Sequence, residues 1–356
     1  MFLADQWQDY EVLDCGGGEK LERWGDVYLR RPDPQAIWPA RDPSLWRKAQ
    51  AHYHRSEKGG GSWEFFTKLP DRWVMNYKNL RFYVRPTGFK HTGLFPEQAT
   101  NWDWMTGLVS DRVKQGREVR VLNLFAYTGT ATCYAADGGV EETVTVDLSN
   151  TYLDWAERNM RQNGFVGPQH HFVRDDVLAW IRDQRQTRNR WDLIFVDPPT
   201  FSNSSKMGRR TWDVQRDHVE LLAGVSRLLA QGGHAIFSCN LRGFRPETRK
   251  LARAGVVLED ITAQTIPEDF ARNQKVHHCY IVRRLPIEDA MAEVGFSAEE
   301  IAERTEELRN PEVRKPRAAV PTHAQAGNGK SNFAGKPSPA GKPKKKKFYA
   351  SKPKGK

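Results

Sequence analysis

The stretch Val121-Leu122-Asn123-Leu124-Phe125-Ala126-Tyr127-Thr128-Gly129 decides the fold class of this chain of 356 residues. Its apolar first half is typical of a buried strand, and the glycine-bearing turn leads into an alanine-rich segment at residues 131–136 that is typical of a helix. A strand, turn and helix in this order bring backbone N–H groups to a ligand at the carboxyl end of the strand. The turn is neither Gly-x-Gly-x-x-Gly nor a phosphate loop, which disfavours both dinucleotide and phosphate-loop sites.

Apolar runs alternate with longer amphipathic segments around this stretch. Strands are predicted at residues 120–124, 143–146, 171–173, 193–196, 235–238 and 276–282, and helices at residues 151–163 and 213–229. This alternation predicts an α/β fold, with a parallel sheet covered by helices on both faces. Ligands of such sheets bind at the carboxyl ends of the strands, so site residues are sought there.

The segments on either side of this region follow other patterns. Residues 1–90 are rich in Trp and Pro and contain short alternating pieces, which predicts a small, mostly β N-terminal domain. Within it, His52-Tyr53-His54-Arg55 is interpreted as a surface loop rather than as an RNA contact. Residues 286–312 contain the capping box Ser297-Ala298-Glu299-Glu300, which predicts an exposed terminal helix. Residues 313–356 have almost no apolar side chains to bury, so we expect disorder there.

The net charge of +11 originates in the tail of the chain. Residues 313–356 contain 13 Lys or Arg and no acidic residue, so the rest of the chain carries a net charge of −2. The block Lys344, Lys345, Lys346 and Lys347, which precedes two aromatic residues, indicates a phosphate-seeking arm that raises affinity for RNA without sequence preference. A tail that only improves solubility is the alternative.

Composition excludes several classes of protein. The 4 cysteines are far apart and form no Cys-x-x-Cys pair, so neither a zinc site nor a disulfide framework is predicted. No stretch approaches the roughly 20 apolar residues of a membrane span. The start of the chain lacks the basic region and apolar run of a secretory signal. We therefore expect a cytoplasmic protein with no membrane partner and no bound metal, and the sequence does not indicate an oligomeric state.

Acidic side chains stand where two successive predicted strands end. Asp147 follows the second strand, where a carboxylate can accept both hydroxyls of a ribose. Asp176 follows the third strand, with Asp175 beside it, in a position to receive an adenine amino group. A single acid at a strand end is usually a helix cap or a turn residue. Two of them behind a glycine-bearing first loop indicate a nucleoside site.

The fourth strand ends in Asp197-Pro198-Pro199-Thr200-Phe201. Two consecutive prolines cannot extend a sheet ladder, so the strand stops and a stiff loop projects over the site. Such a loop would hold Asp197 and the backbone carbonyls in fixed positions for a flat substrate, and Phe201 would offer a stacking face. Taken with the first loop and the two acids, this favours a functional site over a simple strand terminator.

The segments quoted above resemble those of class I S-adenosylmethionine-dependent methyltransferases. More narrowly, residues 123–129, 151–159, 197–203, 213–218 and 269–273 resemble the guanine-N7 methyltransferase half of the fused bacterial enzyme that methylates two guanines of 23S ribosomal RNA. Residues 93–98 resemble the cofactor-side segment of the wider group of ribosomal RNA methyltransferases. The resemblance extends over about residues 93–282.

The resemblance implies a Rossmann-like sheet over residues 91–285, S-adenosyl-L-methionine as the cofactor, and ribosomal RNA or a large-subunit assembly intermediate as the partner. The cofactor contacts it implies are Phe95, Gln98, Asn123, Phe125, Tyr127, Thr128, Gly129, Asp147 and Asp176. Asp197, Pro198, Pro199 and Thr200 would face the target base as the catalytic segment. Phe201, Lys206, Arg216 and Arg272 would contact RNA, together with the lysine block of the tail.

The implied chemistry leaves alternatives open. Guanine N7 has an in-plane lone pair and no proton, so its methylation requires no general base. Methylation of cytosine C5 in 23S ribosomal RNA would instead need Cys239, at the end of the fifth strand, as a thiolate nucleophile. A buried, inert thiol is the commoner state of such a cysteine. Methylation of an exocyclic amine is a third possibility, and a non-catalytic RNA-binding role is disfavoured by the intact cofactor loop.

Overall fold

The structure is a computed structural model that describes residues 6–34, 36–56, 60–203, 211–265 and 278–310. The N-terminal strands are β1 (Tyr10–Gly16), β2 (Glu19–Trp24), β3 (Val27–Pro32), β4 (Ala51–Arg55), β5 (Gly61–Phe65), β6 (Trp73–Tyr77) and β7 (Leu80–Val84). The first five form one sheet in chain order, and β6 and β7 form a separate antiparallel hairpin. The N-terminal region is therefore mostly β, as predicted.

The rest of the described chain builds a larger sheet with helices. Its strands are β8 (Arg120–Leu124), β9 (Glu142–Asp147), β10 (His170–Arg174), β11 (Trp191–Val196), β12 (Phe201–Ser202), β13 (Trp212–Asp213), β14 (Leu229–Cys239), β15 (Val256–Asp260) and β16 (His278–Arg284). Its helices are α1 (Ala99–Lys114), α2 (Thr130–Asp137), α3 (Asn150–Gln162), α4 (Val177–Gln184), α5 (Val214–Ser226), α6 (Thr248–Ala252), α7 (Ile287–Glu293) and α8 (Ala298–Arg309). The sheet has the order β10-β9-β8-β11-β14-β16-β15, while β12 and β13 pair separately.

The prediction of an α/β Rossmann-like sheet is confirmed, but the sheet is not wholly parallel. Strands β10, β9, β8, β11 and β14 are parallel, whereas β16 runs antiparallel to both β14 and β15. Strand β15 was missed because its apolar run is only three residues long before Glu259 and Asp260. The helix predicted at residues 213–229 ends at Ser226, since Leu229 already begins β14.

Side chains of the central strands alternate between two cores. Val121 of β8 belongs to a core that also contains residues of the N-terminal strands, α1 and α2. Leu122, the next residue, belongs to the core on the other face, with residues of α4 and α5. In the first core Trp102 stacks on Tyr134, with ring centroids 5.1 Å apart, and Phe82 of the hairpin contacts both rings. The N-terminal strands and the central sheet are thus joined by continuous apolar packing.

The terminal helix was predicted correctly at its N-terminus. The Ser297 hydroxyl accepts a hydrogen bond from the Glu300 N–H, and the Glu300 carboxylate accepts one from the Ser297 N–H. A further helix, α7, precedes it. Every helix in the described ranges is too short or too polar to cross a bilayer. Residues 313–356, for which disorder was predicted, lie outside the described residues.

Candidate active site

A cleft of about 1380 Å³ lies at the carboxyl ends of β9 and β11, bordered by the loop after β8 and by residues of the N-terminal sheet. Ten of the predicted site residues line it: Phe95, Phe125, Tyr127, Asp147, Asp176, Asp197, Pro198, Pro199, Thr200 and Phe201. Parallel strands end at one edge of a sheet, so residues far apart in sequence converge there. The cleft is the candidate active site.

The loop between β8 and α2 has an unusual backbone. Phe125 and Tyr127 have φ values of 56° and 51°, in the left-handed region that side chains other than glycine rarely adopt. Such residues persist only where the surroundings hold them in place, and each costs about 1–3 kcal/mol. Here the Ala126 N–H donates to the Val146 carbonyl at 3.1 Å, and the Thr128 hydroxyl donates to the Gly93 carbonyl at 2.6 Å. The loop is therefore fixed before any ligand binds.

Asp147 connects this loop to the end of β9. Its Oδ2 accepts a hydrogen bond from the Tyr127 N–H at 2.9 Å, and its Oδ1 accepts one from the Ser149 N–H at 2.8 Å. Both oxygens are held in place by the backbone, and the residue lines the cleft. Each carboxylate oxygen can accept more than one hydrogen bond, so Asp147 can also receive the two hydroxyls of a ribose.

Two of the predicted cofactor residues lie behind the cleft wall instead of lining it. Gln98 is 2% exposed, and its Nε2 donates to Ser238 Oγ at 2.8 Å and lies 3.4 Å from Asp197 Oδ2. Asn123 is 3% exposed, and its Nδ2 donates to Thr132 Oγ1 at 2.9 Å. Their amides hydrogen-bond other buried polar groups, which suits a role in supporting the residues that line the cleft, and direct contact with the cofactor stays a prediction for both.

Thr128 and Gly129 also have structural roles. The buried Thr128 hydroxyl holds Gly93, as described above, and its carbonyl accepts a hydrogen bond from Asn159 Nδ2 at 2.9 Å. Gly129 has a φ of 72°, and a Cβ built there would lie 2.5 Å from the Cβ of Ala156 in α3. Glycine is therefore required by backbone conformation and helix packing, and the close approach of a ligand to it stays a prediction.

Asp176 has two roles in the structure. Its Oδ1 caps α4 by accepting a hydrogen bond from the Ala179 N–H at 2.9 Å, the structural role usual for an acid at a strand end. It also lines the cleft, together with Leu148, Val177 and Leu178. An apolar surface with a carboxylate beside it suits a flat heterocycle that carries an amino group. The apolar residues were missed, although two of them directly follow Asp176 in the sequence.

Asp197 directly follows β11 and lines the cleft while remaining mostly covered by protein. Burial, with a smaller contribution from the nearby Glu97 carboxylate, raises the pKa of its carboxyl group to about 7. A hydrogen bond from Ser238 acts in the opposite direction. A carboxyl group in this state becomes the anion when a positive charge is placed beside it. Glu97 was not predicted as a site residue, although it directly precedes Gln98 in a segment that the sequence already marked.

The two prolines after Asp197 lead into a loop that is held by hydrogen bonds from the segment around Trp212 and Val214. The Pro199 carbonyl accepts a hydrogen bond from Trp212 Nε1 at 2.6 Å, and the Thr200 carbonyl accepts one from the Val214 N–H at 3.1 Å. Phe201 begins the short strand β12, yet 55% of its surface is exposed. A stiff loop that presents an exposed aromatic ring at the cleft is the arrangement that the sequence predicted.

Cys239 is not placed as a nucleophile. It is fully buried, and it does not line the cleft, although the next residue, Asn240, does. Burial raises the pKa of its thiol to about 12, and the Asp197 carboxylate contributes in the same direction. At neutral pH the side chain is therefore a thiol without access to the cleft, whereas addition to a cytosine ring requires the thiolate.

The remaining predicted RNA contacts are less well defined. Arg216 is exposed, but its guanidinium donates to both carboxylate oxygens of Asp217, at 2.9 and 2.7 Å, and it does not line the cleft. Its assignment stays a prediction. Lys206, Arg272 and the block Lys344, Lys345, Lys346 and Lys347 lie outside the described residues.

Comparison with known proteins agrees with this geometry. Residues 38–258 match the sequence profile of a family described as S-adenosylmethionine-dependent methyltransferase. The fold is similar to that of a SAM-dependent methyltransferase from Agrobacterium tumefaciens, with a TM-score of 0.66 and 25% identity over 79% of this chain and 91% of that one.

Two further structures share the fold at lower identity. One is a putative methyltransferase complexed with SAH, with a TM-score of 0.62 and 18% identity over 78% of this chain and 76% of that one. The other is a putative SAM-dependent methyltransferase from Streptococcus mutans, with a TM-score of 0.60, the same identity and the same coverage. At this identity the likeness establishes the fold alone.

Proposed function

Because the chain belongs to the S-adenosylmethionine-dependent methyltransferase family, we propose that it methylates N7 of a guanine in RNA, and specifically in 23S ribosomal RNA. One observation carries the choice against a cysteine nucleophile. The segment Asp197–Phe201 presents a carboxyl group and an exposed aromatic ring to the cleft, while the nearby thiol of Cys239 is buried behind it. The narrow sequence resemblance of this segment supports guanine N7 as the target atom.

The residues of the cleft suit the proposed cofactor. When bound, S-adenosyl-L-methionine supplies an electrophilic methyl group on a positively charged sulfur. Asp147 would accept the ribose hydroxyls, and Asp176 would receive the adenine amino group beside the apolar surface of Leu148 and Val177. Asp197 would stabilise positive charge next to the target base. The rigid loop that contains Phe125 and Tyr127 would position the remainder of the cofactor.

Guanine N7 imposes few chemical demands on the protein. Its lone pair attacks the methyl group directly, so the site must hold the two reactants in line and stabilise the cationic product. In double-stranded RNA this nitrogen lies in a deep, narrow major groove, so the target guanine must be unstacked or single-stranded. The exposed ring of Phe201 would then stack on the extruded base.

Replacing Cys239 by alanine should leave methyl transfer within about threefold of wild type, because a thiol with no access to the cleft contributes packing alone. The measurement is mass spectrometry of nucleosides from ribosomal RNA incubated with methyl-labelled cofactor and either protein. Labelled 7-methylguanosine from both proteins is the expected result. Labelled 5-methylcytidine that disappears in the variant would replace guanine by cytosine as the target. Absence of label in RNA with the wild-type protein would contradict an RNA substrate.

The basic tail is proposed to raise the affinity for ribosomal RNA or for a large-subunit assembly intermediate. Deleting residues 313–356 should weaken RNA binding by about tenfold at low salt and flatten its salt dependence, because up to 13 cations no longer contact phosphates. Affinity for S-adenosyl-L-methionine should stay the same, since the residues assigned to it are all retained. Fluorescence anisotropy over a salt series measures the first effect, and calorimetry the second. An unchanged salt slope would reduce the tail to a solubilising role.

A further inference from the structure

The outer wall of the cleft differs chemically from the cofactor side. This wall is formed by the N-terminal sheet and by the loop at residues 85–92, and it includes the cations Arg55, Arg85 and Lys90. None of the three has a carboxylate within salt-bridge distance in the described ranges. Arg85 lies over the ring of Trp155, 5.2 Å from its centroid. Asp33 and Glu97 also line the cleft and act on Lys90 at longer range, but neither lies within salt-bridge distance of these three side chains, so the cations remain available to an anionic ligand.

Two neighbouring cations do not belong to this set. Arg31 donates to both oxygens of the buried Glu22 carboxylate, and Lys20 lies 3.0 Å from the same group. Burial alone would raise the pKa of Glu22, but Arg31 and Lys20 hold it at about 2, so this cluster is an internal ion pair. Burial, together with these same two cations, lowers the pKa of Lys90, and the carboxylates of Glu97 and Asp33 offset only part of this effect. An anion bound beside Lys90 would relieve that repulsion.

The 85–92 loop is rigidly attached to the N-terminal sheet. The Arg85 N–H donates to the Thr92 carbonyl at 2.9 Å, which closes the loop at its base. Trp63 Nε1 of β5 donates to the carbonyls of Thr87 and Phe89, at 2.9 and 3.1 Å. Arg31 Nη1 donates to the Lys90 carbonyl at 2.9 Å. The loop therefore needs little further ordering to bind a partner, which preserves affinity.

Phe89, within this fixed loop, is 56% exposed and lines the cleft. Leaving a large apolar side chain in water forgoes the favourable free energy of burying it. An exposed aromatic ring among cations is the usual composition of grooves that bind single-stranded nucleic acid, in which bases stack on rings and phosphates meet Lys or Arg. The cofactor side supplies a second exposed ring, Phe201.

We propose that this outer wall binds single-stranded RNA next to the target nucleotide, with Arg55, Arg85 and Lys90 on phosphates and Phe89 stacked on a base. The proposal rests on the RNA substrate proposed above, and it adds the surface that holds that substrate. The N-terminal sheet then takes part in substrate binding, because it supplies one side of the groove through which the strand passes.

The test compares the full-length protein with two sets of variants. The first set is the triple variant Arg55→Gln, Arg85→Gln and Lys90→Gln, with Phe89→Ala made separately. The matched controls replace three exposed cations outside the cleft, Lys114, Arg158 and Arg227, by Gln, and the exposed Phe66 by Ala. Fluorescence anisotropy measures binding of a mixed-sequence single-stranded RNA of about 12 nucleotides, a length typical of such grooves.

The triple variant should lower the slope of log affinity against log salt by about 2, since each phosphate contact on single-stranded RNA contributes about 0.7. Phe89→Ala should bind RNA about tenfold more weakly without a change in that slope. The control variants should match wild type, and calorimetry should show unchanged cofactor affinity in every protein.

The outcomes separate this proposal from the proposed function. If the wild-type protein binds RNA but the triple variant has the same salt slope as its control, the outer wall is not the RNA surface. The proposal of an RNA substrate would then still stand. Absence of RNA binding by the wild-type protein would overturn both proposals. If polyglutamate of matched charge displaces the labelled RNA as well as unlabelled RNA does, the wall binds an acidic protein segment. This result would also overturn the proposal.

Discussion

Asp147→Ala should bind S-adenosyl-L-methionine about 100-fold more weakly than wild type. The carboxylate accepts hydrogen bonds from the N–H groups of Tyr127 and Ser149, and it is the group positioned for the ribose hydroxyls. Hydrogen bonds to a charged group contribute about 1.5–3 kcal/mol each, so loss of the ribose contacts alone accounts for about this factor. Release of the strained backbone at Tyr127 would add to the loss, since Asp147 is one of the groups that hold it.

Isothermal titration calorimetry measures this effect, with circular dichroism to show that the variant is folded. Asp154→Ala is the matched control, because it removes one carboxylate from an exposed position of α3 outside the cleft. Asp147→Asn keeps one acceptor oxygen and should fall between alanine and wild type. A folded Asp147→Ala protein with wild-type affinity would refute the ribose assignment.

The central strands could be predicted from sequence because strands buried on both faces are nearly continuous apolar runs. Strand β8 was predicted with the observed bounds, Arg120–Leu124. Strand β15 is at the sheet edge, where Leu258, Glu259 and Asp260 are not buried, so its sequence lacks the signal that identifies a central strand. The segment His52-Tyr53-His54-Arg55, interpreted as a loop, lies in β4 instead. Ala51, His52 and Tyr53 of this strand are buried and His54 and Arg55 are exposed, so its sequence shows no regular alternation.

The loops that form the site could be predicted from the sequence. The side chains of these loops that line the cleft could not. Asp147 and Asp197 could be located because the end of a parallel strand is a fixed position in the fold. Gln98 and Asn123 carry polar groups in the expected segments, yet their partners, Ser238 and Thr132, are settled only by tertiary packing. The outer wall was not predicted, because the segment that contains Arg55 was interpreted as a surface loop rather than as an RNA contact, and Arg85 and Lys90 belong to a separate segment that approaches it only in the folded protein.

Asp197→Asn should lower kcat by about 100-fold or more, because a preorganised charge next to developing positive charge typically contributes this much. In the wild-type protein, kcat/KM should fall as the pH drops below about 7, the pKa to which burial and Glu97 raise the Asp197 carboxyl group. Asparagine cannot ionise, so this limb of the pH profile should be absent from the residual activity of the variant. A variant that keeps the acidic limb would assign it to another group.

The same substitution should stabilise the ligand-free protein, and the gain should grow as the pH rises from about 4 to about 7. The pKa of Asp197 is raised in the folded state, so between about pH 4 and pH 7 the folded protein binds more protons than the unfolded chain, and its stability falls as the pH rises. A shift of this size corresponds to at most about 4 kcal/mol, and water in the open cleft reduces it to about 2 kcal/mol. Asparagine removes this cost, so Tm at pH 8 should rise by about 3 °C.

At pH 5 the gain in Tm should be less than half of the gain at pH 8, because pH 5 lies only about one unit above the ordinary pKa of a carboxyl group and most of the cost builds up between pH 5 and pH 7. Thermal unfolding at both pH values, followed by circular dichroism, therefore separates a cost of burying charge from a simple packing effect. A gain in Tm that is equal at pH 5 and pH 8 would contradict the raised pKa. A protein that is more stable but much less active at pH 8 would show that the fold tolerates an unfavourable buried charge at Asp197 because methyl transfer requires it.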